Sequence, residues 1–232
     1  MVYIIVILVV ILFLGREFYL ALRQSFRRVV YLLQNKLPLD YPAPQRRFLF
    51  FKRMLDVIVA SGVCALVLPL LYIVLAPVIK LTSKGPVIFK QRRKGQYGIY
   101  FTCYKFRSMY TGCAEGEIVM GEDERVTPIG RILRRTHLDE FPQFWNVLKG
   151  EMSLIGPRPL PTVSESKFEV LPQYALRLLR PAGLSGLAQI NSGRLLPPEE
   201  YLQLDIEYVK SLSWKNEWRI LWKTIKFRDV TY

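Results

Sequence analysis

Residues 57–79 read VIVASGVCALVLPLLYIVLAPVI, a run without a single charge. As a helix it is long enough to cross a bilayer core of about 30 Å. Its flanks argue against a simple crossing. Arg46, Arg47, Lys52 and Arg53 precede the run, and Lys80, Lys84, Lys90, Arg92, Arg93 and Lys94 follow it. The positive-inside rule therefore assigns both ends to the cytoplasm. Pro69 removes a backbone donor near the middle, and Ser61 and Gly62 lie about two turns earlier. Two readings stand side by side. One is a re-entrant helix-break-helix over residues 46–80, broken around Ser61 and Pro69, that enters and leaves by the cytoplasmic leaflet. The other is an ordinary span with a tolerated proline. The charge distribution favours re-entry.

Upstream, residues 1–14 (MVYIIVILVVILFL) are also uncharged, and Arg16, Arg23, Arg27 and Arg28 follow them. A cleaved signal peptide places basic residues before its apolar run and small residues after it, the reverse of what is found here. Residues 1–45 are therefore expected to be an uncleaved membrane anchor and linker, with the N-terminus outside. Fourteen helical residues rise about 21 Å, so a full span needs Gly15 to Leu22 as well. Of the 232 residues, 51% are hydrophobic and 22% charged, and 33 Lys+Arg against 19 Asp+Glu leave a net charge of +14. That charge suits an anionic bilayer face, a phosphorylated substrate or nucleic acid. Cys64, Cys103 and Cys113 form no Cys-x-x-Cys spacing, which points away from a zinc site or a disulfide framework and towards a reducing compartment.

Residues 81–232 read as a cytoplasmic α+β domain, mostly helical with one β-hairpin. Pro86–Gln91 and Ile99–Met109 are the expected strands, joined through KGQYG (94–98). Alternation puts Ile99, Phe101, Cys103, Lys105 and Arg107 in one row, with the two cations at its end. Residues 112–124 read as an acidic, glycine-containing surface loop. Leu138, Phe141, Trp145 and Leu148 recur at helical intervals, and Pro142 is tolerated only in a first turn, so a helix is predicted to begin near Asp139 and end near Gly150. Its N-terminus favours ionised carboxylates, which predicts a lowered pKa for Asp139. GEMSLIGPRPLP (150–161) reads as a rigid turn presenting Arg158, and RPAGLSGLAQINSGR (180–194) as a glycine-dense loop ending in Arg194. Residues 199–227 read as a helical tail. Trp214, Trp218 and Trp222 form a stripe with basic neighbours, which fits either core packing or a helix lying in a membrane interface.

The doublet Asp139-Glu140 lies among Arg131, Arg134 and Arg135, and the only histidine, His137, sits at the wrong offset for a Ser-His-Asp set. A carboxylate can instead attack phosphorus, a reaction that needs cations and usually Mg²⁺ to spread the charge of the transferring group. In a membrane-held site, this suggests a phosphorylated lipid as one partner. Three blocks in order, KFRSM (105–109), LDEFPQFWNVLKGEMSLIGPRP (138–159) and PAGLSGLAQINSGR (181–194), resemble the bacterial sugar transferase family, the monotopic polyprenyl-phosphate phosphoglycosyl transferases. The resemblance runs from about Arg47 to Trp222, and the basic residues with Asp56 before the apolar run also resemble the family's re-entrant segment.

The resemblance implies a ping-pong reaction at the cytoplasmic face of the bacterial inner membrane. Asp139 would attack the β-phosphorus of a UDP-sugar and expel UMP. Polyprenyl (undecaprenyl) phosphate would then take the phosphosugar, the first membrane step of a glycan pathway. Glu140 would complete the catalytic pair, Mg²⁺ would sit at Asp139, and Lys105, Arg134 and Arg158 would contact phosphates. Arg107 and Arg194 are further candidates for that contact. Oligomer formation stays open. Larger members of the family carry additional segments before this region, and an acid commonly found near 213–220 is represented here by Asn216 and Glu217. Three rivals make different predictions. A basic membrane scaffold predicts no effect on UMP release from changing Asp139 alone, a processive glycosyltransferase releases UDP, and a nucleic-acid binder needs stacking or recognition-helix motifs that the sequence lacks.

Overall fold

The computed structural model describes residues 2–37, 45–112, 123–191 and 196–226. The chain divides into two units, Met1–Ala43 and Pro44–Tyr232. The described residues of the first form one helix, α1 (Val2–Gln34), whose 33 residues rise about 50 Å. It carries the expected apolar run and continues through all four arginines behind it.

In the second unit the chain is helical from Arg46 to Thr82, as α2 (Arg46–Gly62) and α3 (Leu68–Thr82). The break expected around Ser61 and Pro69 is a π turn over Val63–Val67, and Gly62, Val63, Val67 and Leu68 all keep right-handed helical dihedrals. Leu68 N–H donates to Val63 O, five residues back, in the turn just before the proline. Pro69 has no N–H and its ring crowds the carbonyl four residues earlier, so a widened turn at this point relieves the clash without ending the helix. Leu66, Leu70, Ile73 and Val74 are exposed.

Behind this helix lies the hairpin β1 (Ile88–Lys94) and β2 (Tyr100–Phe106), antiparallel with Ile88 opposite Phe106 and Lys94 opposite Tyr100. Its five-residue turn holds Tyr97 at φ 56°, with Tyr97 N–H donating to Leu178 O. Two apolar clusters fasten the helix to this hairpin. Ala60 of α2 packs with Phe101, Cys103, Val147, Met152 and Ala182. Leu75 and Ile79 of α3 pack with Val87, Phe106 and Leu133. Both halves of the apolar helix thus rest on one body.

The expected row of cations at the end of β2 divides. Lys105 stays on the strand, whereas Arg107 lies past its end and is buried. The Arg107 guanidinium donates to the carbonyls of Ile79 (3.1 Å), Ser83 (2.7 Å) and Lys84 (2.8 Å), closing the C-terminus of α3. A helix end exposes carbonyls that lack partners, and a cation there satisfies both charge and bonding. Arg107 is thus turned onto the backbone rather than towards a phosphate. Gly85 allows this approach: it has φ +124°, and a Cβ there would lie 2.2 Å from the guanidinium.

Among the described residues the other regular elements are helices apart from one parallel pair, β3 (Met152–Ile155) and β4 (Ala182–Ser185), with Met152 opposite Ala182 and Ile155 opposite Ser185. The two segments read from sequence as a rigid turn and a glycine loop are therefore partner strands. Around them stand α4 (Pro128–Arg135), α5 (Gln143–Lys149), α6 (Thr162–Glu169), α7 (Tyr174–Arg177), α8 (Leu187–Ile190), α9 (Pro198–Lys210) and α10 (Trp214–Lys226). Gly183 lies so close to Gly156 that an added Cβ would meet its backbone nitrogen at 2.1 Å. Three buried ties orient α2: Asp56 accepts from Ser153 Oγ (2.7 Å) and Leu154 N–H (3.1 Å), and Lys52 Nζ pairs with Glu217 of α10 at 2.6 Å. Glu217, in the segment where the family's acid was noted, is thus engaged in structure. On α10, Trp218 and Trp222 are largely exposed, so the tryptophan stripe is not core.

Candidate active site

The acids sit where α4 hands over to α5. Thr127 caps α4 by accepting from Gly130 N–H at 3.0 Å, and the helix buries Leu133 beneath it. His137 takes a left-handed conformation (φ 56°), which reverses the chain into a single 3₁₀ turn, Leu138–Glu140. The α-helix expected to start at Asp139 starts instead at Gln143, with Pro142 as its cap. His137 turns the chain too sharply for α4 to run on into a continuous helix. Asn146 then locks α5 to β2, donating to Thr102 O (2.6 Å) and accepting from Tyr104 N–H (3.2 Å).

Consequently the two adjacent acids meet different surroundings. Glu140 Oε1 takes Lys105 Nζ at 2.5 Å and Arg158 Nη2 at 2.9 Å. Burial pushes the Glu140 carboxyl up, but Arg158 and Lys105 outweigh it and hold the group well below the usual carboxylate range. Asp139 is 5% exposed, and among the described residues its Oδ1 finds no hydrogen-bond partner. Burial pushes its carboxyl up to about 6, with Glu140 adding to the rise while Lys105, Arg134 and Arg158 oppose it. This corrects the expectation of a lowered pKa. The cations that could have bonded Asp139 are bonded to its neighbour, and the helix dipole starts a turn later. One carboxylate is thus firmly ionised and neutralised, and the other is desolvated with a bare oxygen, a division of labour suited to paired catalytic acids.

Of the predicted phosphate contacts, Lys105 and Arg158 converge on the dyad. Arg134 is close enough to influence Asp139 electrostatically, while its Nε donates to Ser108 Oγ at 2.9 Å. Arg107 does not join them. Arg194 and most of the 112–124 loop lie outside the described residues. The sequence reading missed Arg93. It is buried, lines a cleft with Lys105, Glu140, Gln143, Arg158 and Pro159, and donates to the carbonyl of Pro159. The hairpin register was the available signal, because Arg93 pairs with Phe101 and so shares the face of Lys105. Among the described residues no cluster of three Asp, Glu, His or Cys side chains could cage a metal. A single bare carboxylate oxygen fits a Mg²⁺ whose remaining ligands are substrate phosphates and water.

A family model described as bacterial sugar transferase matches residues 47–228. A UDP-glucose:undecaprenyl-phosphate glucose-1-phosphate transferase of Klebsiella pneumoniae is 40% identical over 183 residues, covering 75% of this chain and 39% of that protein. A protein of the same name from Caulobacter vibrioides is 37% identical over 192 residues, covering 79% and 72%. A UDP-N-acetylgalactosamine-undecaprenyl-phosphate N-acetylgalactosaminephosphotransferase of Aeromonas hydrophila is 36% identical over 205 residues, covering 86% and 48%. The chain thus spans under half the length of the Klebsiella and Aeromonas relatives. With the family model covering most of its residues and the acid pair lying within that match, the chain belongs to the bacterial sugar transferase family.

Proposed function

We propose that this protein transfers a phosphosugar from a UDP-sugar to undecaprenyl phosphate through a phosphoglycosyl-Asp139 intermediate. The observation that carries the reading is the bare, buried Oδ1 of Asp139 beside a Glu140 already neutralised by Lys105 and Arg158. In the first half-reaction an Asp139 oxygen forms a bond to the β-phosphorus, and the bond from that phosphorus to the UMP oxygen breaks. In the second, an oxygen of the lipid phosphate attacks the same phosphorus and the Asp139 carboxylate leaves. Lys105, Arg158 and Arg93 supply the charge that lets anions approach one another. Asp139 would hold a Mg²⁺, which would supply further neutralisation of the developing charge. The relatives' names differ in the sugar, so the donor is assigned here only as a UDP-sugar.

The test is intact-protein mass spectrometry after mixing with UDP-sugars in the absence of acceptor. A gain of one phosphosugar on Asp139 with release of UMP is expected; release of UDP and no adduct would refute the reading.

The same proposal places the domain on the cytoplasmic face of the bacterial inner membrane, with the Arg46–Thr82 helix re-entrant. Support comes from its two halves resting on one body while Leu66, Leu70, Ile73 and Val74 between them face outward. A soluble body cannot hold both ends of a segment that crosses the bilayer. Cysteines introduced at Phe50 and Lys84 should be labelled from the same side of sealed vesicles; labelling from opposite sides rules re-entry out.

A further inference from the structure

The segment Pro157-Arg158-Pro159 has only one backbone N–H, so little of it can be held by donation. Its carbonyls are held instead. Pro157 O accepts from Gly183 N–H of β4 at 2.9 Å. Arg158 O accepts from Nη2 of Arg177 at 2.8 Å. Pro159 O accepts from Arg93 of β1. Three successive carbonyls are thus fixed by three separate elements, and the Arg158 side chain reaches Glu140 from this anchored backbone.

Arg177 is the unusual member. It is 2% exposed on α7, and Asp205 of α9, 1% exposed, accepts from its Nε at 2.9 Å and lies 2.8 Å from its Nη2. A buried ion pair seldom stabilises a fold more than apolar side chains of equal volume would. What apolar residues could not do is hold a backbone carbonyl. The guanidinium fork bonds a carboxylate and a carbonyl at once, which the single nitrogen of lysine cannot reproduce.

We propose that Arg177 and Asp205 are positioning residues: they fix the Arg158 carbonyl and thereby aim the Arg158 guanidinium at Glu140 and at the diphosphate that enters beside it. The inference rests on the phosphoglycosyl-transfer reading of the site. Neither residue touches Asp139 or Glu140, and the effect passes through Arg158 alone.

The test replaces the pair by apolar residues, Arg177→Met with Asp205→Leu, in the full-length protein. Apolar replacement of a buried pair keeps folding intact, which thermal melting checks. The expected result is a kcat for UMP release lowered tenfold to a hundredfold with the UDP-sugar KM changed less than about threefold. On an Arg158→Ala background the same double replacement should cost less than twofold, because the side chain it aims is gone. Should the double variant melt early, Arg177→Lys, which keeps the charge opposite Asp205, is scored by the same two measurements. An unchanged kcat in a folded variant overturns the proposal, as does a loss that multiplies fully with that of Arg158→Ala. Failure of the underlying reading looks different: Asp139→Asn would then keep its turnover.

Discussion

An Asp139→Asn protein is expected to lose at least about a thousandfold in UMP release and to melt at a higher temperature than the parent in metal-free buffer at pH 8. The two effects share one cause. Asparagine matches the shape of aspartate but offers no anionic oxygen, so the covalent half-reaction stops while the packing of the 3₁₀ turn is kept. The parent carries an ionised carboxylate that the fold strips of water, with Lys105 and Arg158 bound to Glu140 rather than to it. Its pKa stands at about 6 in the folded chain against 3.8 for the ordinary group. The folded state therefore binds the proton more tightly than the unfolded one, and stability is lost as pH rises from about 4 to about 6. The neutral variant escapes that loss, which is on the order of 2–3 kcal/mol. Its advantage should be full above pH 6 and should vanish below pH 4. Formation of the adduct by the parent should rise across the same window, since only the ionised form attacks. A variant that melts at or below the parent's temperature at pH 8 would show that Asp139 is not a strained, desolvated group.

Much of this site could be read from the chain because its signals were local. The hairpin follows from alternation and a glycine turn, and it placed Lys105 correctly. The basic flanks of the apolar run led to the expectation that both of its ends lie on the cytoplasmic side; in the fold, both halves of that helix pack on one body. Other features depend on partners distant in sequence. β3 and β4 are four residues each, contain Gly183 and precede Gly156, so they carry little strand pattern and exist because they pair with each other. Arg107 sits two residues from Lys105 in the same expected row, yet the strand ends at Phe106 and the side chain goes to the carbonyls of α3. Alternation holds only while the strand lasts. The start of α5 was misplaced because His137 adopts a left-handed conformation, uncommon for a residue with a side chain. The pKa of Asp139 was then assigned from helix position, although burial and the loss of its cations to Glu140 decide it.

Replacing Lys52 with methionine should destabilise the protein by roughly 3–5 kcal/mol, lowering the melting temperature by about 10 °C, because it leaves a charge stranded rather than because it removes a favourable one. Lys52 Nζ lies 2.6 Å from Glu217 Oε2, and the two residues are 7% and 5% exposed. The other Glu217 oxygen lies 2.8 Å from the Tyr208 hydroxyl, which is itself 2.9 Å from Ile155 O. Without Lys52, a single phenolic donor is left to solvate a buried carboxylate. Lys52→Met combined with Glu217→Leu removes both charges, and Tyr208 keeps its carbonyl partner, so most of the lost stability should return. If the single Lys52→Met variant melts within 2 °C of the parent, the pair contributes nothing and α2 must be held by its other contacts. Those contacts include Asp56 on β3, Arg53 donating to the carbonyls of Val147 and Leu148, and Ala60 against the hairpin. An apolar helix presents the same greasy surface at every turn and has little preference for one rotation over another. The buried charges at 52 and 56 supply that preference, since Lys52 meets Glu217 and Asp56 meets Ser153 and Leu154, and a wrong rotation would leave both without partners.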